Sequence, residues 1–215
     1  MRNSLLILPA AGLAAVAVAL ALPALAETRS FNTLSGFDKI SASAGVSVIL
    51  KQGPFAVSVD EPNGKFDQLK LEVRGSTLVA SRMNTWGWSG GRGPNYTITV
   101  SAPSYRSLDA SSGSHLEGAN IKFADVGVNV SSGAHVELSG DCKAVTIEVS
   151  SGSHFSGQSL KCESASVDAS SGAHADAFAT ASAKGDASSG AHITFFGKPA
   201  NVSKDSSSGG SVSSL

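Results

Sequence analysis

The chain has 215 residues, a formal net charge of −1 and no run of lysine or arginine, so we do not expect it to bind nucleic acid. Only 6% of the residues are aromatic, whereas glycine, serine and alanine are abundant. This composition alone would suit a disordered chain, but the repeats described below predict a folded domain.

Residues 1–26 have the pattern of a secretory signal peptide. Met1-Arg2-Asn3 is a short basic start, an apolar run extends from Leu5 to Leu22, and Ala24-Leu25-Ala26 places small residues at the −3 and −1 positions. The pattern predicts cleavage before Glu27 and export to the periplasm, outer surface or medium of a bacterium. A retained membrane anchor is the alternative, since the apolar run is long enough. After cleavage we expect no membrane span and a single domain over residues 27–215.

A glycine-rich segment at residues 84–93 contains both tryptophans, Trp86 and Trp88. Exposed aromatic side chains on a loop can stack on sugar rings or anchor a protein partner. We therefore predict a ligand-binding role for this pair, with a cell-envelope glycan or protein as the partner. The alternative is that the tryptophans fold back over an apolar edge of the domain.

A pentapeptide recurs through the second half of the chain and contains every histidine. It reads Ser-Ser-Gly followed by Ser or Ala and then His, and its glycines are spaced by 20, 19, 20 and 18 residues. A copy at residues 207–211 lacks the histidine, and residues 43–46 resemble a degenerate copy. We interpret the pentapeptide as a corner, with serine inward, glycine at the bend and histidine at the exit. The five histidines are His115, His135, His154, His174 and His192.

Alternating apolar residues precede each corner and predict strands with one buried face. Val126, Val128 and Val130 form one such segment. One outward column before the corner is polar in every repeat, and one column after the histidine is apolar. The polar column is Asp109, Asn129, Glu148, Asp168 and Asp186; the apolar column is Leu116, Val136, Phe155, Ala175 and Ile193.

Strand-rich repeats of this length cannot bury an apolar face alone and must stack on their neighbours. We predict an all-β fold: a right-handed single-stranded parallel β-helix (β-solenoid) with coils of about 19–20 residues, strongest over residues 103–211. A meander of hairpins is the competing fold. It would need Asn-Gly or Asp-Gly turns, whereas the recurrent glycine follows Ser-Ser at one fixed place in each repeat.

Cys142 and Cys162 each lie 12 residues before a histidine and so share a column, with Phe123 and Thr180 expected on either side. In stacked coils their Cα atoms would be about 5 Å apart, within the range of a disulfide. We predict the Cys142–Cys162 disulfide in an exported protein. Two buried free thiols are the alternative.

Stacked coils would also place the five histidines in an outward ladder at about 4.8 Å spacing. Glu117, Glu137 and Asp176 lie two positions further on, on the same face. Neighbouring imidazoles and a carboxylate could hold Zn²⁺ or Cu²⁺. The alternative is that the histidines merely repeat with the corner and pack as a ladder. Either arrangement predicts modest destabilisation below about pH 6, where imidazoles become protonated.

No catalytic residues are predicted. The acidic column repeats coil after coil and singles out no carboxylate pair of the kind glycosidases use. Serine, histidine and aspartate also recur without a unique nucleophile.

In its ordered motifs the sequence resembles the putative auto-transporter adhesin head domain (head GIN domain), a bacterial family of unknown function. The motifs are residues 36–40 (Gly-Phe-Asp-Lys-Ile), residues 98–103 (Ile-Thr-Val-Ser-Ala-Pro), the serial Ser-Gly corners, and residues 193–199 followed by Ser208-Gly209-Gly210-Ser211. The resemblance implies a β-helical fold, export and no catalytic residues. The histidines depart from the family pattern, which has a small residue or Asp at that corner position.

We therefore expect an exported, non-enzymatic β-solenoid with a structural, adhesive or surface-binding role. A metal- or pH-responsive binding protein is the second reading, and a polysaccharide-active enzyme is the third.

Overall fold

The computed structural model describes residues 27–83 and 94–215. Within these ranges the chain forms sixteen β-strands and no helix. The strands are β1 (Glu27–Ser30), β2 (Lys39–Ala42), β3 (Ser47–Gln52), β4 (Ala56–Glu61), β5 (Leu69–Arg74), β6 (Thr77–Arg82), β7 (Thr97–Ala102), β8 (Ser107–Ala110), β9 (His115–Lys122), β10 (Asp125–Val130), β11 (His135–Val149), β12 (His154–Ala169), β13 (His174–Ala187), β14 (His192–Phe196), β15 (Asn201–Ser206) and β16 (Ser211–Ser214).

From β8 to the C-terminus the chain is a stack of parallel coils. Strands that precede the corners stack in the order β8, β10, β11, β12, β13 and β15. Strands that follow the corners stack in the order β9, β11, β12, β13, β14 and β16. Equivalent residues pair from coil to coil, as His135 does with His154 and Glu148 with Asp168. The predicted parallel β-solenoid is confirmed.

The core is a narrow column of small and medium side chains. Inward positions alternate with outward ones along every coil, so Val128, Ile147 and Val167 stack in one fully buried column. Two phenylalanines, Phe155 and Phe195, fill space where the facing residue is glycine: a Cβ at Gly157 would lie 2.4 Å from the Phe155 ring. Small residues dominate because the two walls of a coil are close together.

Each corner is a tight turn in which two consecutive residues have positive φ. Ser112 has φ 52°, Gly113 has φ 70°, and the Ser114 N–H donates to the Ser111 carbonyl at 3.1 Å. These are the features of a type I′ turn, which is best known from hairpins. In this chain the same turn joins two strands of one coil. The pattern extends to Ala44-Gly45 and to Ser208-Gly209, the two degenerate copies.

The interpretation of the corner needs one correction. The first two serines do not point inward, since the first is half-buried and the second is exposed. The buried position is the fourth of the pentapeptide, where the hydroxyl groups of Ser114 and Ser153 donate to the carbonyls of Ala42 and Val130 in neighbouring coils. The tight turn uses two residues, so the inward phase resumes one position after the glycine.

The N-terminal part departs from a continuous parallel stack. The β2–β3 coil is first in sequence but lies between the β6–β7 coil and the β8–β9 coil. Beyond β6 and β7 the pairing is antiparallel: β5 pairs with β6, β4 pairs with β7, and β1 pairs with β4. These antiparallel strands cover the edge that the last parallel coil would otherwise expose at this end.

A buried carboxylate fixes the loop that follows β4. Glu61 is fully buried and accepts hydrogen bonds from the N–H groups of Lys65 at 2.7 Å and Asn63 at 2.8 Å. Burial acts to raise the pKa of Glu61, but these N–H groups, the Asn63 side-chain amide and the Lys65 charge together outweigh it, and the pKa lies below its ordinary value. The Tyr96 hydroxyl donates to the Lys65 carbonyl at 2.8 Å and holds the same loop against the stack.

The disulfide joins two neighbouring coils. Cys142 and Cys162 are paired residues of β11 and β12, with their Cα atoms 4.4 Å apart. On the far side of Cys162 the partner is Ala179, so the prediction that Thr180 occupies this column was wrong. The coil between His174 and His192 is two residues shorter than its neighbour, and the strand register shifts on both sides of Cys162.

Candidate functional site

The five histidines form one straight column on the outside of the solenoid, which we call the histidine ladder. Each histidine is the first residue of a strand, immediately after a corner, and the strands pair it with the histidine of the next coil. The column continues into Ser47 of β3 at one end and Ser211 of β16 at the other.

The imidazole rings stack along the ladder. The centroids of His115 and His135 are 5.1 Å apart with an interplanar angle of 5°, and those of His135 and His154 are 5.0 Å apart with an angle of 1°. The part of the ladder from His154 to His192 is less regular: the rings tilt by 32° between His154 and His174 and by 39° between His174 and His192. The ladder is therefore best ordered around His135.

Exposure differs along the ladder. His115, His135 and His154 are half-buried between their neighbours, whereas His174 and His192 are exposed. The last ring has a hydrogen-bonding partner, because His192 Nδ1 lies 2.6 Å from Ser211 Oγ. The final coil has Ser211 at this position instead of a histidine, and this serine completes the column.

His135 is the electrostatically distinctive member. Burial lowers the pKa of His135, and the neighbouring charges that His154 and His115 would carry when protonated lower it further. Glu137, two positions along the same strand, acts in the opposite direction and offsets part of the effect. The central imidazole is therefore harder to protonate than an isolated histidine.

The carboxylates that were expected beside the ladder share one outward column. Glu117 pairs with Glu137, and Asp176 lies in the same column beyond Ser156. In the part of the chain that the structure describes, no three His, Cys, Asp or Glu side chains are grouped so as to hold a metal ion. Parallel stacked rings direct their nitrogen lone pairs along parallel planes, so Zn²⁺ or Cu²⁺ binding would require the rings to turn. Metal binding stays a prediction.

A second polar column, which we call the acidic column, lies before the corners. Asp109, Asn129, Glu148, Asp168 and Asp186 stack in register, and Asp205 of β15 extends the column. The Asn129 side-chain amide donates to Asp109 at 2.6 Å and joins the first two members. Each coil contributes one side chain in the same geometry, as the sequence predicted.

An outward apolar column was not recognised in the sequence. Phe178 pairs with Phe196, and Leu215 follows in the next coil, its N–H donating to Phe195 at 2.9 Å. In the preceding coil, Lys161 occupies the position that pairs with Phe178. The sequence does contain a signal for this column. Each of the three residues lies four positions after a histidine, or after Ser211 in the final coil, and the alternation of strand residues places that position on the outside.

The other predicted site residues, Trp86 and Trp88, lie outside the described residues. Their role as a ligand-binding pair remains a prediction.

The fold and its surface define a parallel β-solenoid that displays in-register columns of identical or similar side chains. The chain belongs to the family described as "putative auto-transporter adhesin, head GIN domain", whose model matches residues 36–199.

Solved structures share this fold at low sequence identity. A putative adhesin from Bacteroides fragilis is 14% identical with a TM-score of 0.64, over 88% of this chain and 97% of that chain. A putative lipid binding protein from Parabacteroides distasonis is 16% identical with a TM-score of 0.50, over 89% of this chain and 97% of that chain. No curated protein matches the sequence. In the described ranges no helix is long and apolar enough to cross a membrane.

Proposed function

We propose that the protein is an exported, non-enzymatic β-solenoid with an adhesive or surface-binding role. The observation that carries the proposal is the repetition of the outer surface, because the histidine ladder and the acidic column present the same groups at every coil. A periodic surface suits an extended or repetitive partner, since several weak contacts can form at once. Membership of an adhesin-named family supports the same role.

The partner we propose is a cell-envelope glycan or protein, with Trp86 and Trp88 as contact residues. The test is binding of purified protein to a glycan array and to isolated cell envelopes, together with the Trp86→Ala/Trp88→Ala double variant. We expect saturable binding that the double variant weakens while its melting temperature stays unchanged. Absence of binding to every glycan and envelope preparation would overturn the role, and unaltered binding by the double variant would remove the tryptophans from it.

Export depends in this proposal on residues 1–26 acting as a cleaved signal peptide. The mass of the protein recovered from its native host is expected to correspond to a chain that begins at Glu27. A full-length chain in the cytoplasm would contradict this assignment.

A second role, as a pH- or metal-responsive binding protein, is supported by the stacked imidazoles and by the lowered pKa of His135. Calorimetric titration with Zn²⁺ and Cu²⁺, with melting curves, tests the metal part. Heat and a thermal shift that are lost in His135→Phe would support it, and their absence in the wild-type protein would end it.

Turnover would distinguish the third reading, a polysaccharide-active enzyme. We expect purified protein to leave envelope polysaccharides intact. Release of reducing sugar ends, lost when the acidic column is neutralised, would replace the binding role with an enzymatic one.

A further inference from the structure

A groove crosses four neighbouring strands that precede the corners. It has a volume of about 600 Å³ and lies on the outside of β11, β12, β13 and β15. Two outward columns, which we call the rims, form its sides, and the residues between them in the sequence line its floor. The first rim is Ala144, Ser164, Ser182 and Asn201; the second rim is Thr146, Ser166, Lys184 and Ser203; the floor is Val145, Ala165, Ala183 and Val202.

The rims are rich in short side chains that form hydrogen bonds. Six of their eight residues are Ser, Thr or Asn, which can both donate and accept. The Ser182 hydroxyl donates to the Ser164 hydroxyl at 2.9 Å, so these groups line up along the groove from one coil to the next. The strands pair here without a shift of register, and equivalent side chains therefore recur at about 4.8 Å. The groove offers straight lines of hydroxyl groups at a constant spacing.

The form of the groove selects among extended ligands. A peptide that extends a sheet needs an unpaired strand edge, whereas this groove runs across the face of paired strands. A lipid chain would leave the rim hydroxyls buried without hydrogen bonds, which is costly. A straight carbohydrate chain has hydroxyl groups along its edges and C–H groups on its ring faces. These groups suit polar rims and a floor of alanine and valine, and one sugar unit is close in length to the spacing between coils.

The charges near the groove favour an uncharged ligand. Among the residues that line it, Lys184 alone is charged. The acidic column follows the second rim two positions further along each strand, on the same face. Its members Glu148 and Asp168 line a second groove of about 350 Å³, between the acidic column and the corner serines. A row of carboxylates repels an anionic chain, so the face as a whole disfavours acidic glycans.

We propose that the groove binds a straight, uncharged glycan chain whose hydroxyl groups pair with the two rims. This inference rests on the proposed surface-binding role and assigns the glycan to residues other than Trp86 and Trp88. Ser164 and Ser166 face each other across the middle of the groove and are half-buried, so they are the central contacts. Each coil adds a similar weak contact, and a longer chain therefore binds more tightly than a short one.

The test is calorimetric titration of the purified protein with cellohexaose and with chitohexaose, two straight and uncharged hexasaccharides. We expect saturable binding of at least one of them. The double variant Ser164→Leu/Ser166→Leu fills the middle of the groove and removes two hydroxyl groups, so it should bind about tenfold more weakly or not at all. Thr146→Leu/Ser182→Leu makes the same test at two exposed rim positions, where the change has less effect on packing.

Ser156→Leu/Ser159→Leu is the matched control, because it makes the same two changes on β12 in the segment that follows the corner. It should bind as the wild-type protein does. Circular dichroism and the melting temperature establish that the variants are folded. No binding of either hexasaccharide by the wild-type protein, binding of hexagalacturonate or lauric acid in their place, or equal loss in the control would each overturn the proposal.

Binding to isolated cell envelopes separates this proposal from the surface-binding role. A wild-type protein that binds a hexasaccharide through the groove but binds no envelope would support the groove and contradict the role. A wild-type protein that binds envelopes, with hexasaccharide binding undiminished in both groove variants, would overturn the groove and leave the role in place.

Discussion

The corner serine carries a conformation that is uncommon for a residue with a side chain. The second serine of every pentapeptide, from Ser112 to Ser189, lies at a φ of 50–55°. The next glycine donates its N–H to the carbonyl of the equivalent serine in the following coil, as Gly113 does to Ser132 at 3.1 Å. The corners thus form a hydrogen-bonded ladder of their own, which offsets the backbone strain at each serine.

Gly133→Ala should destabilise the protein by about 1–2 kcal/mol, because Gly133 has φ 70° and an L-residue is strained there. A Cβ at this position would meet no atom within 4 Å, so the cost is conformational and not steric. Chemical denaturation measures the change in the free energy of unfolding.

Gly127→Ala is the control for that substitution. Gly127 is an outward strand residue outside the positive-φ region, and its added Cβ would be 3.9 Å from the Arg106 carbonyl. Alanine should stabilise there, by about 0.5–1 kcal/mol, because it restricts the unfolded chain. Equal losses at both positions would contradict the assignment of strain to the corner.

His135 should make stability depend on pH. Its pKa is lowered in the folded state, so the unfolded chain binds more protons, and stability falls as the pH drops below about 6.5 towards the folded pKa. The groups facing it are His115, His154 and Glu137. The measurement is the melting temperature between pH 8 and pH 5, for wild type and for His135→Phe, which keeps a flat ring in the stack. We expect a smaller decline in the variant.

His192→Phe, at the exposed end of the ladder, is the comparison for His135→Phe. It leaves the central stack in place and should retain the decline that His135 causes. A melting temperature that is flat over this range in the wild-type protein would contradict the coupling.

Outward and inward columns could be predicted from residue types, because alternation and a constant repeat length fix them. The acidic column and the apolar column after the histidines are both confirmed. The residue beside Cys162 on the side away from Cys142 could not be predicted. The next coil has only 18 residues, and the sequence does not show that it is shortened within the strand region. The direction of the corner serines was also missed, because the sequence does not show that two residues share the positive-φ turn.

At the scale of elements, the disulfide connects two coils that are otherwise joined by hydrogen bonds and packing. It closes a loop with a sequence separation of 20 residues. Replacing both cysteines, Cys142→Ser with Cys162→Ser, should lower the free energy of unfolding by about 3 kcal/mol, chiefly because the unfolded chain is no longer constrained. Denaturation of the double variant measures this, and reduction of the wild-type protein should give a similar loss. An unchanged midpoint in both would contradict a structural role.

The antiparallel strands at the N-terminal end could not be predicted from the pattern. Parallel and antiparallel strands with one buried face have the same period of two, so β4 and β5 look like further coil segments in the sequence. The sequence also did not reveal that the β2–β3 coil lies between the β6–β7 coil and the β8–β9 coil. Which strands become neighbours depends on long-range pairing, whereas the serial corners of residues 111–211 report their order directly.

At the scale of the whole molecule, the edge strands β5 and β15 at the two ends of the stack both carry charges: Lys70, Glu72 and Arg74 on β5, and Lys204 and Asp205 on β15. Lys204→Val removes the inward charge from β15 and leaves β16 unchanged. We expect this variant to associate into oligomers more than the wild-type protein does, because an edge strand without an inward charge permits pairing with another copy. Light scattering after size separation measures the mass. A variant that matches the wild-type protein would show that Lys204 does not protect the edge.

The whole molecule also explains how the fold and the role relate. A stack of similar coils buries a small core and places repeated columns at its outward positions, so in the proposed role the protein binds through its repeated surface. The sequence predicted this architecture because the repeat is strong. It could not single out a partner, since a repeated residue such as His154 or Asp168 has the same pattern whether it binds a ligand or only packs.

The most direct test of a surface-binding role is the location and accessibility of the protein in intact cells of its native host. An antibody raised against residues 27–215 should label unpermeabilised cells, and added protease should remove that label without lysing the cells. We expect the protein to be found outside the cytoplasmic membrane and accessible from the medium. Labelling only after both envelope and cytoplasm are opened, with the protein in the cytoplasmic fraction, would contradict the role.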